Sequence, residues 1–178
     1  MNYSSSGRIL LSSQREGQIS RFRSWVLVAV PLLAILFQVY VPLFFPFLGY
    51  LELPLLAVVY FALMRRSQMA GILIGALVGL AQDSLSKNPL GMFGIVKTLV
   101  GYFASSIGVR LDVDNVFIRL LLTLFFYVFH QFFYWLLSRA LLGHQMAFEI
   151  QRTVVLGVLN AIVGAALYHF LDRLREMA

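Results

Sequence analysis

The chain alternates between long apolar runs and short polar connections. A run of about 20 apolar residues is long enough to cross a bilayer as a helix. The connections between runs contain Pro, Gly, Asn or charged residues, which favour helix ends and turns. This pattern predicts six membrane-spanning helices, at residues 25–44, 51–64, 69–85, 90–109, 116–142 and 153–171. The second span is short for a crossing, so we expect the region of Phe47 to extend it or the bilayer to thin there.

Composition indicates a membrane protein of one domain. The 178 residues are 60% hydrophobic and 12% charged, whereas soluble domains are about half apolar and a quarter charged. We therefore predict an all-α integral membrane protein, a six-transmembrane-helix bundle over residues 25–171. Residues 1–24 are predicted to be a disordered basic cytoplasmic tail, and residues 172–178 a second cytoplasmic tail. The chain has no cysteine, which excludes disulfides and thiolate metal sites.

The basic residues predict the orientation of the bundle. If the N-terminus is cytoplasmic, the opposite side of the membrane holds only Lys87, Arg139 and Arg152. The cytoplasmic side then holds Arg8, Arg15, Arg21, Arg23, Arg65, Arg66, Arg110, Arg119, Arg173 and Arg175. Because basic loops stay inside, both termini are expected in the cytoplasm of a multi-pass inner-membrane protein. The net charge of +6 then reflects topology, and we expect no nucleic-acid partner.

The third span contains a ladder of small residues that ends in a carboxylate. Gly71, Gly75, Gly79 and Asp83 follow one another at intervals of four, so they lie on one face of a helix. Glycines allow a second helix to come close. The ladder therefore predicts a helix-packing or partner-binding face, and the sequence leaves open whether this chain or another protein fills it.

The fourth span contains a second small-residue face with a lysine inside it. Gly94, Lys97 and Gly101 are spaced three and four apart, and Pro89 and Gly91 form the turn before them. A lysine at this depth must extend towards the interface or find a carboxylate. One hypothesis is an ion pair between Lys97 and Asp83 across the turn; the alternative is that Lys97 extends alone and Asp83 caps the turn.

Four further polar residues are candidates for contacts between helices. Glu52 begins the second span before Pro54, where capping of the helix is expected ahead of a ligand role. His130 and Gln131 lie in the middle of the aromatic fifth span, and a single histidine is weak support for a metal site. Asn160 lies between small residues on the sixth span and is expected to hydrogen-bond another helix.

Standard catalytic signatures are missing from the chain. It has no Gly-x-Ser-x-Gly, no His-Glu-x-x-His and no phosphate loop, the arrangements that mark hydrolases, zinc proteases and nucleotide-binding enzymes. We therefore expect a protein that is not an enzyme and that has no cofactor or metal.

The third and fourth spans resemble a known family, the rod shape-determining protein MreD. The resemblance lies in the block Gly71-x-x-x-Gly75-x-x-x-Gly79-Leu80-x-x-Asp83-Ser84-Leu85, followed by Pro89-Leu90-Gly91. It implies a six-helix bundle similar to the S subunits of energy-coupling-factor transporters. It also implies a non-catalytic scaffold that binds MreC, with indirect links to MreB, RodA and a class B penicillin-binding transpeptidase, and that supports peptidoglycan synthesis and cell shape.

A carrier is the alternative that this resemblance raises. As the S subunit of a vitamin transporter, the chain would line an outward-facing pocket with Glu52, Asp83 and Lys97. The connection between the first two spans is aromatic and apolar, and this lack of convergent polar groups favours the scaffold.

Overall fold

The structure, a computed structural model, shows a bundle of α-helices. It describes residues 21–22, 24–86, 89–143 and 147–176. The α-helices in these residues are α1 (Ser24–Tyr40), α2 (Leu53–Arg65), α3 (Gln68–Leu85), α4 (Met92–Gly108), α5 (Val116–Leu142) and α6 (Ile150–Asp172). Five apolar helical segments of the described chain are long enough to cross a membrane, and α4 is a shorter apolar helix of 17 residues. The predicted all-α membrane bundle is therefore confirmed.

Helix α2 lies at the centre of the bundle. Every residue from Pro54 to Met64 is buried, as expected for a helix that is apolar on all sides. A 3-10 helix at Pro46–Tyr50 precedes it, and the apolar segment Pro46–Arg65 spans 20 residues. The region of Phe47 thus extends the predicted second span, residues 51–64, to a length that can cross a bilayer.

Local side-chain chemistry fixes where several helices begin and end. The Ser67 hydroxyl accepts a bond from the Ala70 amide at 3.5 Å, and the Asn115 side chain accepts one from the Phe117 amide at 2.9 Å. Such residues are favoured at helix starts. Gly143 has a positive φ of 68° after α5, which glycine adopts easily. The predicted start of the sixth span at 153 is three residues late, because α6 already begins at Ile150.

The two ends of the described chain meet. Strand β1 (Arg21–Phe22) pairs antiparallel with strand β2 (Arg175–Glu176). We call this end of the bundle the terminal end, and the opposite end, which carries the 3-10 helix and the turn before α4, the far end. Helix α1 starts at Ser24 and α6 runs to Asp172. Residues 1–20, with Arg8 and Arg15, lie outside the described residues, as do Arg23 and Lys87.

A polar network holds three helices together at the terminal end. Arg119 Nη1 on α5 lies 2.5 Å from Asp172 Oδ2 on α6, and the Arg119 Nε donates to the Val113 carbonyl. The Tyr60 hydroxyl on α2 donates to Asp172 Oδ1 at 2.8 Å. In the sequence, Arg119 counts only among the basic residues that predict orientation. Its second role was missed because sequence alone does not place residues 119 and 172 at the same depth.

Candidate functional site

The glycine ladder of α3 packs against α4. A Cβ atom added to Gly75 would lie 2.7 Å from the Lys97 carbonyl carbon, and one added to Gly79 would lie 2.6 Å from that of Phe93. The contact is reciprocal, since a Cβ on Gly101 would lie 2.8 Å from the Gly71 carbonyl carbon. Such short distances to carbonyl carbons arise where the backbones of two helices lie in direct contact. The face that the sequence left open is therefore filled by this chain's own fourth helix.

Asp83 caps the start of α4. Its Oδ2 accepts bonds from the Gly91 and Gly94 amides, both at 3.0 Å, and its Oδ1 accepts one from Phe93 at 3.1 Å. The carboxylate is 1% exposed. The first amides of a helix have no partner within the helix, and the positive end of the helix dipole favours a negative charge. The short turn through Pro89, with Gly91 at a φ of 96°, brings these amides to Asp83.

Removing the Asp83 carboxylate is expected to loosen the α3–α4 pair. Asp83→Ala leaves three amides without their acceptor, which we expect to lower the free energy of unfolding by about 3 kcal/mol. Ser84→Ala is the control, because Ser84 is exposed and, within the described part of the chain, donates to the Leu80 carbonyl of its own helix. Thermal unfolding of the purified protein in detergent measures both. Equal midpoints for the two variants would contradict the capping role.

Lys97 lies in the interior beside Glu52. Its side chain is 0% exposed, and its Nζ lies 3.8 Å from Glu52 Oε2. The same Nζ lies 3.3 Å from His130 Nε2 on α5 and 4.2 Å from the centre of the Phe93 ring. An ammonium has no lone pair, so the imidazole accepts at Nε2. The hypothesis of an Asp83–Lys97 pair is replaced by a Glu52–Lys97 pair, because the α4 amides occupy Asp83.

Glu52 and Asn160 connect the start of α2 to α6. Glu52 holds the N-cap position of α2, and its side chain makes no capping hydrogen bond. Its own amide donates to Asn160 Oδ1 at 2.8 Å, and Asn160 Nδ2 donates to the Tyr50 carbonyl at 2.9 Å.

Glu52, Gln82, Lys97 and His130 together form what we call the central polar cluster. Gln82 is 3% exposed and its amide lies beside the Glu52 carboxyl group. Because this amide carries no charge, nothing in the sequence singled it out. Three buried atoms of the cluster have no hydrogen-bond partner among the described residues: Glu52 Oε2, Gln82 Oε1 and His130 Nδ1. Ionisable groups at such depth are costly and mark a candidate functional site.

A cleft of about 550 Å³ opens beside the cluster at the far end. Gln131 lines it, and its amide donates to the hydroxyl of Tyr127 on the same helix at 3.2 Å. The cleft is lined by Gly49, Tyr50, Glu52, Tyr127, Gln131, Tyr134, Trp135, Ser138, Ala147, Phe148, Glu149, Arg152, Thr153 and Leu156. The carrier hypothesis placed three residues around a pocket. Glu52 lines this cleft, whereas Asp83 and Lys97 make contacts inside the bundle.

Fold and site define a polytopic α-helical membrane protein whose helices enclose a buried ion pair. A family model for the rod shape-determining protein MreD matches residues 20–177. The match covers nearly the whole chain, so the chain belongs to the MreD family and has a role in rod-shape determination. The resemblance found in the sequence is thereby confirmed. No curated protein and no solved structure matches the chain.

Proposed function

We propose that the chain is a non-catalytic scaffold of the cell-elongation machinery in the bacterial inner membrane, with both termini in the cytoplasm. It binds MreC and is linked through it to MreB, RodA and a class B penicillin-binding transpeptidase, so that it supports peptidoglycan synthesis. The observation that carries this proposal is the family match over residues 20–177. The chain's own packing adds to it, since Asp83, Lys97 and Asn160 make contacts within the bundle.

The surface offered to MreC is the outward face of α1. The glycine ladder is occupied by α4, so a partner helix must use a lipid-facing surface. The spanning window of α1 is 22% buried, the lowest share among the spanning segments of the described chain. Val28 and Leu33 on this helix are 67% and 65% exposed. A single helix of a partner would bury this surface by van der Waals packing, the force that associates helices in lipid.

Photo-crosslinking in cells tests both parts of the proposal. A photoreactive amino acid is placed at Val28 or Leu33, and in control variants at Val155 or Ile162, which are 63% and 61% exposed on α6. We expect crosslinks to MreC from α1 and none from α6. Crosslinks from α6 alone would contradict the α1 surface. Failure of MreC to co-purify with the unmodified chain would contradict the proposed binding itself.

A further inference from the structure

Two neighbouring concave surfaces at the far end form one continuous amphipathic site. The cleft beside the central polar cluster shares Glu149, Arg152 and Leu156 with a second groove of about 610 Å³. The second groove continues along the outside of α6 past Ile150 and Val155, which are 67% and 63% exposed. Sites for small ligands measure roughly 300 to 1,000 Å³. The combined shape suits a molecule with a compact polar head and an extended apolar chain.

The cleft presents charges of both signs in a fixed order. The carboxylate of Glu52 lies at its inner end, while Glu149 and Arg152 lie at its rim. The rim pair is 3.6 Å apart, with side chains 65% and 60% exposed, and exposed pairs of this kind contribute little stability. A ligand can therefore replace the contact between Glu149 and Arg152 at a low cost in free energy. A matching ligand carries a cation directed inwards and an anion at the rim.

Aromatic rings make the inner part of the cleft suitable for an ammonium group. Tyr134, Trp135 and Phe148 line the cleft, and the Trp135 and Phe148 rings lie 5.6 Å apart between their centres. Aromatic faces attract organic cations, and a carboxylate beside them accepts hydrogen bonds from an ammonium. Tryptophan and tyrosine also concentrate at the depth of lipid head groups, which places the cleft where such a head group is available.

We propose that the cleft binds the head group of a zwitterionic aminophospholipid of the ethanolamine type. Its primary ammonium lies among the aromatic rings and bonds Glu52 at the inner end, and its phosphate replaces Glu149 as the partner of the Arg152 guanidinium at the rim. One acyl chain follows the groove along Ile150 and Val155. A lipid without an ammonium brings no cation to Glu52 and the aromatic rings. A choline head group has the charge but no N–H donor for Glu52, so the site selects ethanolamine over choline.

Native mass spectrometry of the purified full-length chain tests this site without any protein partner. The protein is equilibrated in detergent with equal amounts of phosphatidylethanolamine, phosphatidylglycerol and phosphatidylcholine, and the retained lipids are counted. We expect phosphatidylethanolamine to exceed each of the others by about fivefold, the equilibrium change that one hydrogen bond of ordinary net strength gives. Equal retention of the three lipids, or a preference for phosphatidylglycerol, would overturn the proposal.

Two variants and a control locate the selectivity. Arg152→Gln removes the phosphate partner from an exposed position. The double substitution Glu52→Gln with Lys97→Met removes the inner carboxylate while keeping the interior neutral. Arg152→Gln is expected to lower the retention of all three lipids, since each of them carries a phosphate. The double substitution is expected to bring the three lipids to equal retention. Arg110→Gln removes an exposed arginine near the terminal end and should leave both the amount and the preference intact. If Arg152→Gln retains as much lipid as the unmodified chain and the double variant keeps its preference, the lipid binds elsewhere and the assignment of the cleft is wrong.

Discussion

Gly75→Leu is expected to prevent the bundle from folding. At this position even a Cβ atom would lie 2.7 Å from the Lys97 carbonyl carbon and 2.9 Å from the Thr98 Cα. These are backbone atoms, so relief requires the two helices to separate along their whole contact. Overfilling of a packed contact by smaller amounts already costs about 1–3 kcal/mol. We expect no monodisperse protein on size-exclusion chromatography in detergent, and a lower unfolding midpoint for Gly75→Ala.

Gly157→Ala is the matched control for this prediction. A Cβ atom there would lie 2.7 Å from Cδ1 at the end of the Leu124 side chain and 3.2 Å from Cδ1 of the Tyr127 ring. Side-chain ends can move where backbone cannot, and alanine favours a helix over glycine by about 1 kcal/mol. Gly157→Ala should therefore fold. If Gly75→Ala and Gly157→Ala unfold at the same temperature, the direct backbone contact between α3 and α4 is not limiting for stability.

The second large effect is expected at the buried ion pair. Lys97→Met leaves Glu52 without its counter-charge, and removal of one partner from a buried pair typically costs about 3–5 kcal/mol. Glu52→Gln, which leaves Lys97 charged in the interior, is expected to be as damaging. Unfolding in increasing denaturant, followed in detergent by the change in helical signal, measures both variants.

The double variant Glu52→Gln with Lys97→Met tests whether the pair is the cause. Replacing both charges by neutral groups of similar size is often neutral or stabilising. We therefore expect the double variant to be more stable than either single variant. If its loss equals the sum of the two single losses, the two side chains act independently and their 3.8 Å separation carries no energetic coupling.

The parts of the fold that follow from hydrophobic length were predictable. Apolar runs and their polar breaks gave all six helices, because a chain in lipid must satisfy its backbone bonds within each helix. Helix ends were less accurate. The fifth span was predicted at the observed bounds of α5, which Asn115 caps. The first span was predicted to end at 44 and α1 ends at Tyr40, and the sixth was predicted to begin at 153 and α6 begins at Ile150.

The partners of buried charges were not predictable from the chain alone. Asp83 and Lys97 are near in sequence and face each other across a turn, so a pair between them was the simplest hypothesis. In the structure, Asp83 instead accepts hydrogen bonds from nearby amides at the start of α4. Lys97 pairs with Glu52, a residue 45 positions before it, because α2 lies parallel to α4 at the centre of the bundle. Sequence patterns identify which residues need a partner, whereas packing of distant helices decides which partner they get.

The contacts of α6 have a consequence for how the bundle is assembled. The α3–α4 pair is joined by a short turn and capped by Asp83, so all of its contacts are local and can form early. The bonds of Asn160 to Glu52 and of Tyr60 to Asp172 join residues 108 and 112 positions apart. They can form only after the last helix has left the ribosome and entered the membrane. The final helix therefore completes the bundle, because its contacts with Glu52 and Tyr60 fix α2 only after all other helices are in place.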